Sequence, residues 1–276
     1  MVSITVVIPC FNDAPFLERA LAALAVQTRL ADEVIVVDNG STDASASVAR
    51  AAGARLVSEP VHGIWPAAAA GYDAASGDLI ARIDADSVVP GDWLAQIEAE
   101  FLRSPEIDVL TGPGRFYDCS PVVAALGEHL YIGGYFWFMS WWLTQPPIFG
   151  SNFAMRRQLW RGVREQVHRT IPNVHDDLDL SYHLDPSAVV VYRSSLRVGI
   201  SARPFNSFSG FFRRIGWAFR TMQLHWSDES PLRRRQARRA MRAGQTGHIG
   251  QAGQTAQTGQ AGLAGTEADE PPRSLS

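Results

Sequence analysis

The most constraining feature of the sequence is the regular alternation of short apolar runs with alanine-rich segments over its first half. Between these runs, apolar residues recur at helical spacing, as in the stretch from Phe16 to Leu24. Four runs have the length and composition of buried strands: Ile4–Pro9, Glu33–Asp38, Arg55–Ser58 and Leu79–Ile83. Because strands that alternate with helices form right-handed crossovers, the sequence predicts a single, mainly parallel α/β sheet flanked by helices.

The second half of the chain is less regular. It contains a long aromatic-rich segment over Pro121–Leu143 and three more strand-like runs: Asp108–Thr111, Gly150–Met155 and Ala188–Tyr192. After Gly244 the composition falls to Gly, Gln, Thr and Ala, which bury too little apolar surface to fold. We therefore predict a folded domain over 1–202, a basic aromatic helical segment over 203–243 and a disordered tail over 244–276.

Charge, cysteine content and apolar length exclude several classes of protein. The 276 residues carry a formal net charge of −3, which gives no support to a nucleic-acid partner. Cys10 and Cys119 are too few for a disulfide scaffold; we expect both to be small buried side chains in a reducing cytoplasm. The most membrane-like stretch, Leu130–Phe149, contains two glycines and two prolines, so we predict no transmembrane helix.

Acidic residues gather where the predicted strands end. Asp38 and Asn39 end and follow the second strand, and Asp84 and Asp86 flank one alanine after the fourth. Ligands of an open parallel sheet bind beyond the carboxyl ends of its strands. Two carboxylates this close repel each other unless a cation neutralises them, so the pair indicates an Mg²⁺ or Mn²⁺ site.

Three common nucleotide-binding and hydrolase motifs are missing from the sequence. The turn after the first strand is Pro9–Asp13 rather than a Gly-x-Gly-x-x-Gly loop. The chain has no lysine for a P-loop and no Gly-x-Ser-x-Gly elbow. The sequence therefore argues against hydride transfer, P-loop hydrolysis and serine hydrolysis.

A third acidic cluster, His175–Leu180, is by itself typical of a solvated helix start.

Taken in order, five motifs resemble the family 2 glycosyltransferases, which are inverting enzymes with a GT-A fold. The motifs are Val6–Asn12, Val36–Asp43, Asp84–Asp86, Gly150–Arg157 and His175–Ser181. The resemblance covers about Val2 to Arg220. It implies transfer of a sugar from a nucleotide-diphospho-sugar to the hydroxyl of a glycan or lipid-linked acceptor, in cell-envelope or lipid-linked glycan synthesis. It also implies a nucleotide-sugar half over 1–110 and an acceptor half over 111–202.

The resemblance implies a role for several single residues. Asp86 would hold the Mg²⁺ or Mn²⁺ that bridges the diphosphate, and Asp177 would be the general base. The donor-binding residues would be Pro9, Asp38, Asn39 and Asp84. Sugar transfer agrees with these roles, because it needs a cation for the leaving diphosphate and a base for the acceptor proton, but no nucleophilic side chain.

The sequence departs from the family pattern in three places. Asn39 stands where many members have aspartate, which leaves UDP, GDP and dTDP donors open. Asp176 replaces the glutamate that usually precedes the catalytic aspartate. The segment Gly63–Gly71 lacks an arginine to bind the phosphates, so the diphosphate would be bound by the metal, by backbone amides or by Arg82.

Two other functions are considered for the chain. One is a sugar-nucleotide-binding protein without turnover, and it stays as the alternative. The other is a nucleotidyltransferase, which would need a Gly-rich basic loop after the first strand that this sequence lacks.

Two aromatic-rich regions allow two interpretations each. The segment Tyr131–Trp142 is either core or the wall of an acceptor site. His62 and Trp65 are either a surface loop residue and a packing residue or residues that border the nucleotide cleft, and we leave them out of the predicted site. Residues 203–242 contain ten arginines and two acidic residues, Asp228 and Glu229, so their formal net charge is +8, whereas the rest of the chain carries −11. Their aromatics predict either a helix packed on the domain or an interfacial helix that binds the inner face of an anionic membrane.

Overall fold

The computed structural model describes residues 1–203, 208–226, 230–238 and 240. The chain divides into two units, Met1–Pro231 and Leu232–Ser276. Residues 232–238 of the second unit are helical. The predicted disordered tail over 244–276 lies outside the described residues, and the domain boundaries at 110, 202 and 243 stay predictions.

The first unit alternates strands and helices along its N-terminal half, as predicted. Its strands are β1 (Ile4–Cys10), β2 (Glu33–Asp38), β3 (Arg55–Ser58), β4 (Leu79–Arg82), β5 (Val109–Thr111), β6 (Gly114–Phe116), β7 (Phe153–Arg156), β8 (Val190–Tyr192) and β9 (Val198–Ile200). Its helices are α1 (Ala14–Ala25), α2 (Ser45–Ala51), α3 (Ile64–Ala74), α4 (Trp93–Arg103), α5 (Pro121–Leu126), α6 (Gly134–Leu143), α7 (Arg157–Val163), α8 (Asp176–His183) and α9 (Phe208–Leu224), with a π-helical segment at Gly127–Gly133.

Seven strands form one sheet in the order β3-β2-β1-β4-β7-β5-β8, and β6 pairs with β9 in a small second sheet. β1 runs parallel to both of its neighbours, β2 and β4. All seven residues of β1 are buried, as expected for a central strand covered on both faces. The side chains of Ile4, Val6 and Ile8 pack with α1 and α4 on one face, and Val7 packs with α3 on the other.

β7 reverses the direction of the sheet between β4 and β5. It is antiparallel to both, with Phe153 opposite Arg82 of β4. The start of β7 therefore lies beside the carboxyl end of β4, and the preceding residues, 150–152, meet the residues that follow β4. The sequence predicts this strand from Gly150, but it begins at Phe153, because Asn152 turns its side chain to the backbone carbonyls of Pro113 and Leu196.

The aromatic-rich segment Pro121–Leu143 is helical throughout, from α5 through the π-helical segment into α6. Among the described residues, we find no helix with the length and apolar character needed to cross a bilayer. Both cysteines are free. Cys10 is buried as predicted, whereas the prediction for Cys119 is wrong, because this residue is partly exposed in the loop before α5.

Candidate active site

A polar cleft of about 390 Å³ lies at the carboxyl ends of β1, β2 and β4. This is the edge where the sequence places ligand binding. Five of the six residues predicted for the site line the cleft: Pro9, Asn39, Asp84, Asp86 and Asp177. The sixth, Asp38, is not among the lining residues; its carboxylate accepts the N–H of Ser41 at 2.9 Å and closes the turn after β2.

The loops after β1 and β2 form one wall of the cleft. Asn12 has a positive φ of 52°, and its Oδ1 accepts the N–H of Thr42 at 2.8 Å, which ties the two loops together. The Asn39 amide donates to the carbonyls of Glu59 (2.9 Å) and Val61 (2.8 Å) and accepts the N–H of Gly63 (2.7 Å). Its polar side-chain atoms therefore hold the 59–63 loop, which shapes the cleft.

An aromatic pair stands beside Asn39 at this wall. The rings of Phe11 and His62 meet edge to face with centroids 4.3 Å apart, and both residues line the cleft. Phe11 is 45% exposed, so its ring offers apolar area to a ligand. His62 therefore lies where the second interpretation of the sequence places it, because Asn39 holds its loop through hydrogen bonds to residues distant in sequence.

Asp84 is held between two elements that are distant in sequence. Its Oδ1 accepts from Arg82 Nη2 at 2.9 Å, and its Oδ2 accepts from the Ser151 hydroxyl at 2.6 Å. Ser151 reaches this position because β7 runs antiparallel to β4. The carboxylate is therefore fixed at the floor of the cleft.

Asp86 already has a positive partner in the protein. Arg203 Nη2 lies 2.7 Å from Asp86 Oδ2, and the same guanidinium contacts both carboxylate oxygens of Asp13 at 2.7 and 3.1 Å. Burial raises the pKa of Asp86, and the nearby Asp84 charge raises it further. A partly buried carboxylate beside a second one suits a hard divalent cation, so these residues fit Mg²⁺ or Mn²⁺. Such a cation would share Asp86 with Arg203 or displace it.

The two adjacent aspartates at the start of α8 have different surroundings. Asp176 is buried against Arg82 Nη1, and burial raises its pKa to about 6 although the arginine opposes this. Asp177 lines the cleft, and its Oδ2 accepts the N–H of Gly150 at 2.9 Å. A Cβ at position 150 would lie 2.7 Å from Arg82 Nη1 and 3.1 Å from Asp177 Oδ2, so glycine permits this approach.

A second, apolar cavity of about 350 Å³ opens next to the cleft. We call it the apolar groove; it is lined mainly by the π-helical segment, α6 and α9. The groove and the cleft share Tyr131, Phe149, His175, Asp177 and Arg214. The two cavities therefore meet at the Asp177 carboxylate.

The aromatic segment is core for some of its members, as one interpretation predicts; the acceptor-site interpretation stays a prediction. Phe136 and Met139 are buried. Tyr131, Tyr135 and Phe138 line the apolar groove. The segment is therefore core on one side and cavity wall on the other.

Arg203, Arg214 and Trp217 line the cleft and are missing from the predicted site. They belong to the segment whose charge indicates a membrane surface. The packing of α9 on α8 brings two of them in: His175 Nε2 donates to the Arg214 carbonyl at 2.9 Å, and its backbone N–H donates to Thr221 Oγ1 at 3.0 Å. The 25 lysine and arginine residues of the chain are all arginines, so arginine also fills ordinary surface positions, and a single arginine in the sequence does not indicate a site.

An open α/β sheet with paired carboxylates at its carboxyl edge and an aspartate-bearing helix beside them has the architecture of a GT-A transferase. The model of glycosyl transferase family 2 matches residues 5–163. This is more than half of the chain, so the chain belongs to that family. The predicted family and the predicted GT-A-like fold are both confirmed.

Similar proteins agree with this assignment. An uncharacterized glycosyltransferase of Mycobacterium tuberculosis is 39% identical over 113 residues, covering 41% of this chain and 49% of the relative. Glucosyl-3-phosphoglycerate synthase from Mycobacterium tuberculosis is 35% identical over 163 residues, covering 46% and 49%. The chain spans about half the length of the curated relatives it matches.

Among solved structures, the mannosyltransferase PcManGT from Pyrobaculum calidifontis, in complex with GDP-Man and Mn²⁺, is similar in fold. It has a TM-score of 0.66 at 20% identity, covering 82% of this chain and 65% of that one. This likeness extends well beyond the region of the family match and supports the shared fold.

Proposed function

We propose that the protein transfers a sugar, with inversion, from a nucleoside-diphosphate donor to a hydroxyl at the end of an apolar, lipid-linked acceptor. The observation that carries this proposal is the meeting of a polar cleft and an apolar groove at Asp177. The donor would bind in the cleft, and the acceptor chain would bind in the groove with its hydroxyl at the carboxylate.

The cleft supplies the groups that a nucleotide-sugar requires. Phe11 and His62 offer ring faces and edges for the base beside Asn39, and Asp84 would bind the ribose. Asp86 would hold Mg²⁺ or Mn²⁺, as the Mn²⁺ complex of PcManGT suggests by analogy. When bound, the cation neutralises charge that builds on the leaving diphosphate. The Arg214 side chain adds a second positive charge to the cleft wall.

Asp177 is the base that the geometry favours. Both aspartates line the cleft, but Asp176 is 6% exposed and paired with Arg82, whereas Asp177 also lines the apolar groove. As the acceptor oxygen attacks the anomeric carbon, its proton would pass to the Asp177 carboxylate and the bond to the diphosphate oxygen would break. One such displacement inverts the anomeric configuration and requires no nucleophilic side chain.

The test of the proposal is release of nucleoside diphosphate from UDP-, GDP- and dTDP-sugars with Mn²⁺ present, with either an octyl glycoside, whose sugar hydroxyls lie at the end of an apolar chain, or the matching water-soluble methyl glycoside as acceptor. We expect release to depend on the octyl acceptor. Ala218→Leu narrows the groove and should raise the KM of that acceptor at least ~10-fold, since a buried apolar chain is displaced. The control Gln223→Leu, exposed on the same helix, should leave KM unchanged.

Two other outcomes would contradict parts of this proposal. If turnover with the water-soluble acceptor equals that with the apolar one, and Ala218→Leu changes neither, the acceptor is polar and we would place it near His175 and Arg214. Donor binding without release for any acceptor would favour the non-catalytic alternative.

We further propose that the protein binds anionic membrane surfaces peripherally. Four large aromatic side chains near the groove are more than half exposed: Trp137 (75%), Trp141 (54%), Phe219 (61%) and Trp226 (60%). The rings of Trp142 and Trp226 lie 5.5 Å apart, so α6 and the end of α9 form one continuous aromatic surface. Exposed Arg213 and Arg220 are seven residues apart and share a face of α9.

Pelleting with phosphatidylglycerol vesicles at low salt tests this membrane contact. Each near-surface arginine contributes ~1 kcal/mol, so the double variant Arg213→Glu/Arg220→Glu should reduce partitioning at least ~30-fold. Reversal of two exposed arginines elsewhere, Arg50→Glu/Arg161→Glu, makes the same change in net charge and should have little effect. A full chain that stays in the supernatant would contradict the proposal. The cytoplasmic location and the role in envelope synthesis stay predictions.

A further inference from the structure

Three histidines and one aspartate meet in the interior behind the active site. The residues are His168, Asp179, His183 and His225, and each offers a ligand atom within 4.8 Å of the others. None of the four lines the cleft or the apolar groove. We call this group the His₃Asp cluster, and we propose that it binds one Zn²⁺ ion as a structural site, separate from the cation at Asp86.

The ligand types and spacing fit zinc. Imidazole nitrogen and carboxylate oxygen are common zinc ligands, and a four-coordinate closed site is typical of structural zinc. Tetrahedral bonds of about 2.0–2.1 Å place ligand atoms about 3.3 Å apart. In the cluster, His168 Nδ1 and His225 Nε2 each lie 2.8 Å from Asp179 Oδ1. Small side-chain rotations therefore separate these atoms enough for an ion to enter.

The outer hydrogen bonds of a zinc site are already present. His183 Nδ1 lies 2.8 Å from the Asp179 carbonyl, which only accepts, so Nδ1 carries the proton and Nε2 keeps its lone pair. Asp179 Oδ2 accepts from Trp65 Nε1 at 2.9 Å and from the His168 backbone N–H at 2.8 Å. These donors orient the carboxylate and leave Oδ1 towards the imidazoles.

Loading the ion requires a defined movement of protons. The Asp179 carboxylate only accepts, so His168 Nδ1 and His225 Nε2 each carry the proton in their hydrogen bond to Oδ1. Zn²⁺ replaces these two protons: a neutral imidazole takes up a proton from solvent at its other ring nitrogen as it releases one, and an imidazolium releases one to solvent. The three imidazoles then bind as neutral ligands, and the carboxylate remains an anion.

Burial and access are also suitable. Asp179 is fully buried, and the side chains of His225 and His183 are 6% and 13% exposed. The side chain of His168 is 30% exposed and gives an ion a path from solvent. The site would join α8, the loop after α7 and the residue that follows α9. Because Asp179 is two residues from Asp177, the ion would also fix the helix that carries the base.

The test is the zinc content of the full chain, produced without a histidine tag, stripped by a chelator and reloaded with one equivalent of Zn²⁺ in excess Mg²⁺. Mg²⁺ fills oxygen sites such as Asp86 and competes poorly for imidazole. After gel filtration we expect one zinc per chain and a higher Tm than the stripped protein. His183→Gln and His225→Gln should each lower zinc affinity at least ~10-fold, whereas the control His129→Gln, outside the cluster, should retain the metal.

A second measurement keeps the proposal testable if the variants fold poorly. Co²⁺ bound to the unaltered chain should give the strong visible bands of four-coordinate cobalt, lost on addition of one equivalent of Zn²⁺. Weak bands of six-coordinate cobalt, no retained zinc, or retention by His183→Gln and His225→Gln would each overturn the zinc site. Transfer activity is not part of this readout, so the result is independent of the proposed function.

Discussion

Replacing Asp177 by asparagine should lower the rate of sugar transfer at least ~10²-fold and leave donor affinity unchanged, because an amide cannot take the acceptor proton. Asparagine retains an oxygen for the Gly150 N–H, so the start of α8 should keep its position. Single-turnover transfer and calorimetric donor titration measure the two quantities separately.

Asp176→Asn is the matched control, one residue away on the same helix. It removes a buried carboxylate from Arg82, so it should lower the free energy of unfolding more than Asp177→Asn does. Its transfer rate, measured where the protein is folded, should fall much less. The opposite ranking of rates would assign the base to Asp176 and contradict the assignment made from the two cavities.

Replacing Asp86 by alanine should abolish metal-dependent donor binding. In the parent protein, a donor at 100 times its Kd with Mn²⁺ present should add ~2.7 kcal/mol to the free energy of unfolding. Asp86→Ala should lose the Mn²⁺-dependent part of this gain, because the cation loses its carboxylate ligand. Thermal unfolding with UDP-, GDP- and dTDP-sugars, each with and without Mn²⁺, provides the measurement.

The fold of this variant should persist, because alanine removes a partly buried charge that Asp84 repels, and Arg203 keeps its ion pair with Asp13. Asp92→Ala, an exposed carboxylate at the start of α4, serves as the control and should respond to donor and Mn²⁺ as the parent does. A donor response of Asp86→Ala that equals the parent's would remove Asp86 from the metal site.

The sequence predicts the nucleotide-side half of the fold more completely than the rest. β2 and β3 begin and end at the predicted residues, because each is bounded by polar or turn-forming residues. The order of the five motifs predicts the family and the edge of the sheet where the cleft lies. These features depend on residues that are close together in the chain.

The missed features depend on partners that are distant in sequence. Arg203 meets Asp86 across 117 positions, and Trp65 meets Asp179 across 114. Neither residue has a local pattern that distinguishes it from a surface arginine or a packing tryptophan. The three histidines of the His₃Asp cluster are similarly dispersed, so only the folded chain brings them to one carboxylate.

The reversed direction of β7 has a consequence for the order in which this protein matures. Ser151, whose hydroxyl donates to Asp84, follows it by 67 positions. Gly150, whose N–H donates to Asp177, lies in the same segment before β7. A nascent chain that has folded β1 to β4 has Asp84 and Asp86, but it lacks the residues that hold them, Ser151 and Arg203, and the helix that carries Asp177. Catalytic competence should therefore appear only after β7 has inserted beside β4 and α8 has brought Asp177 to Gly150, and chains that stop before this point should be unable to consume donor.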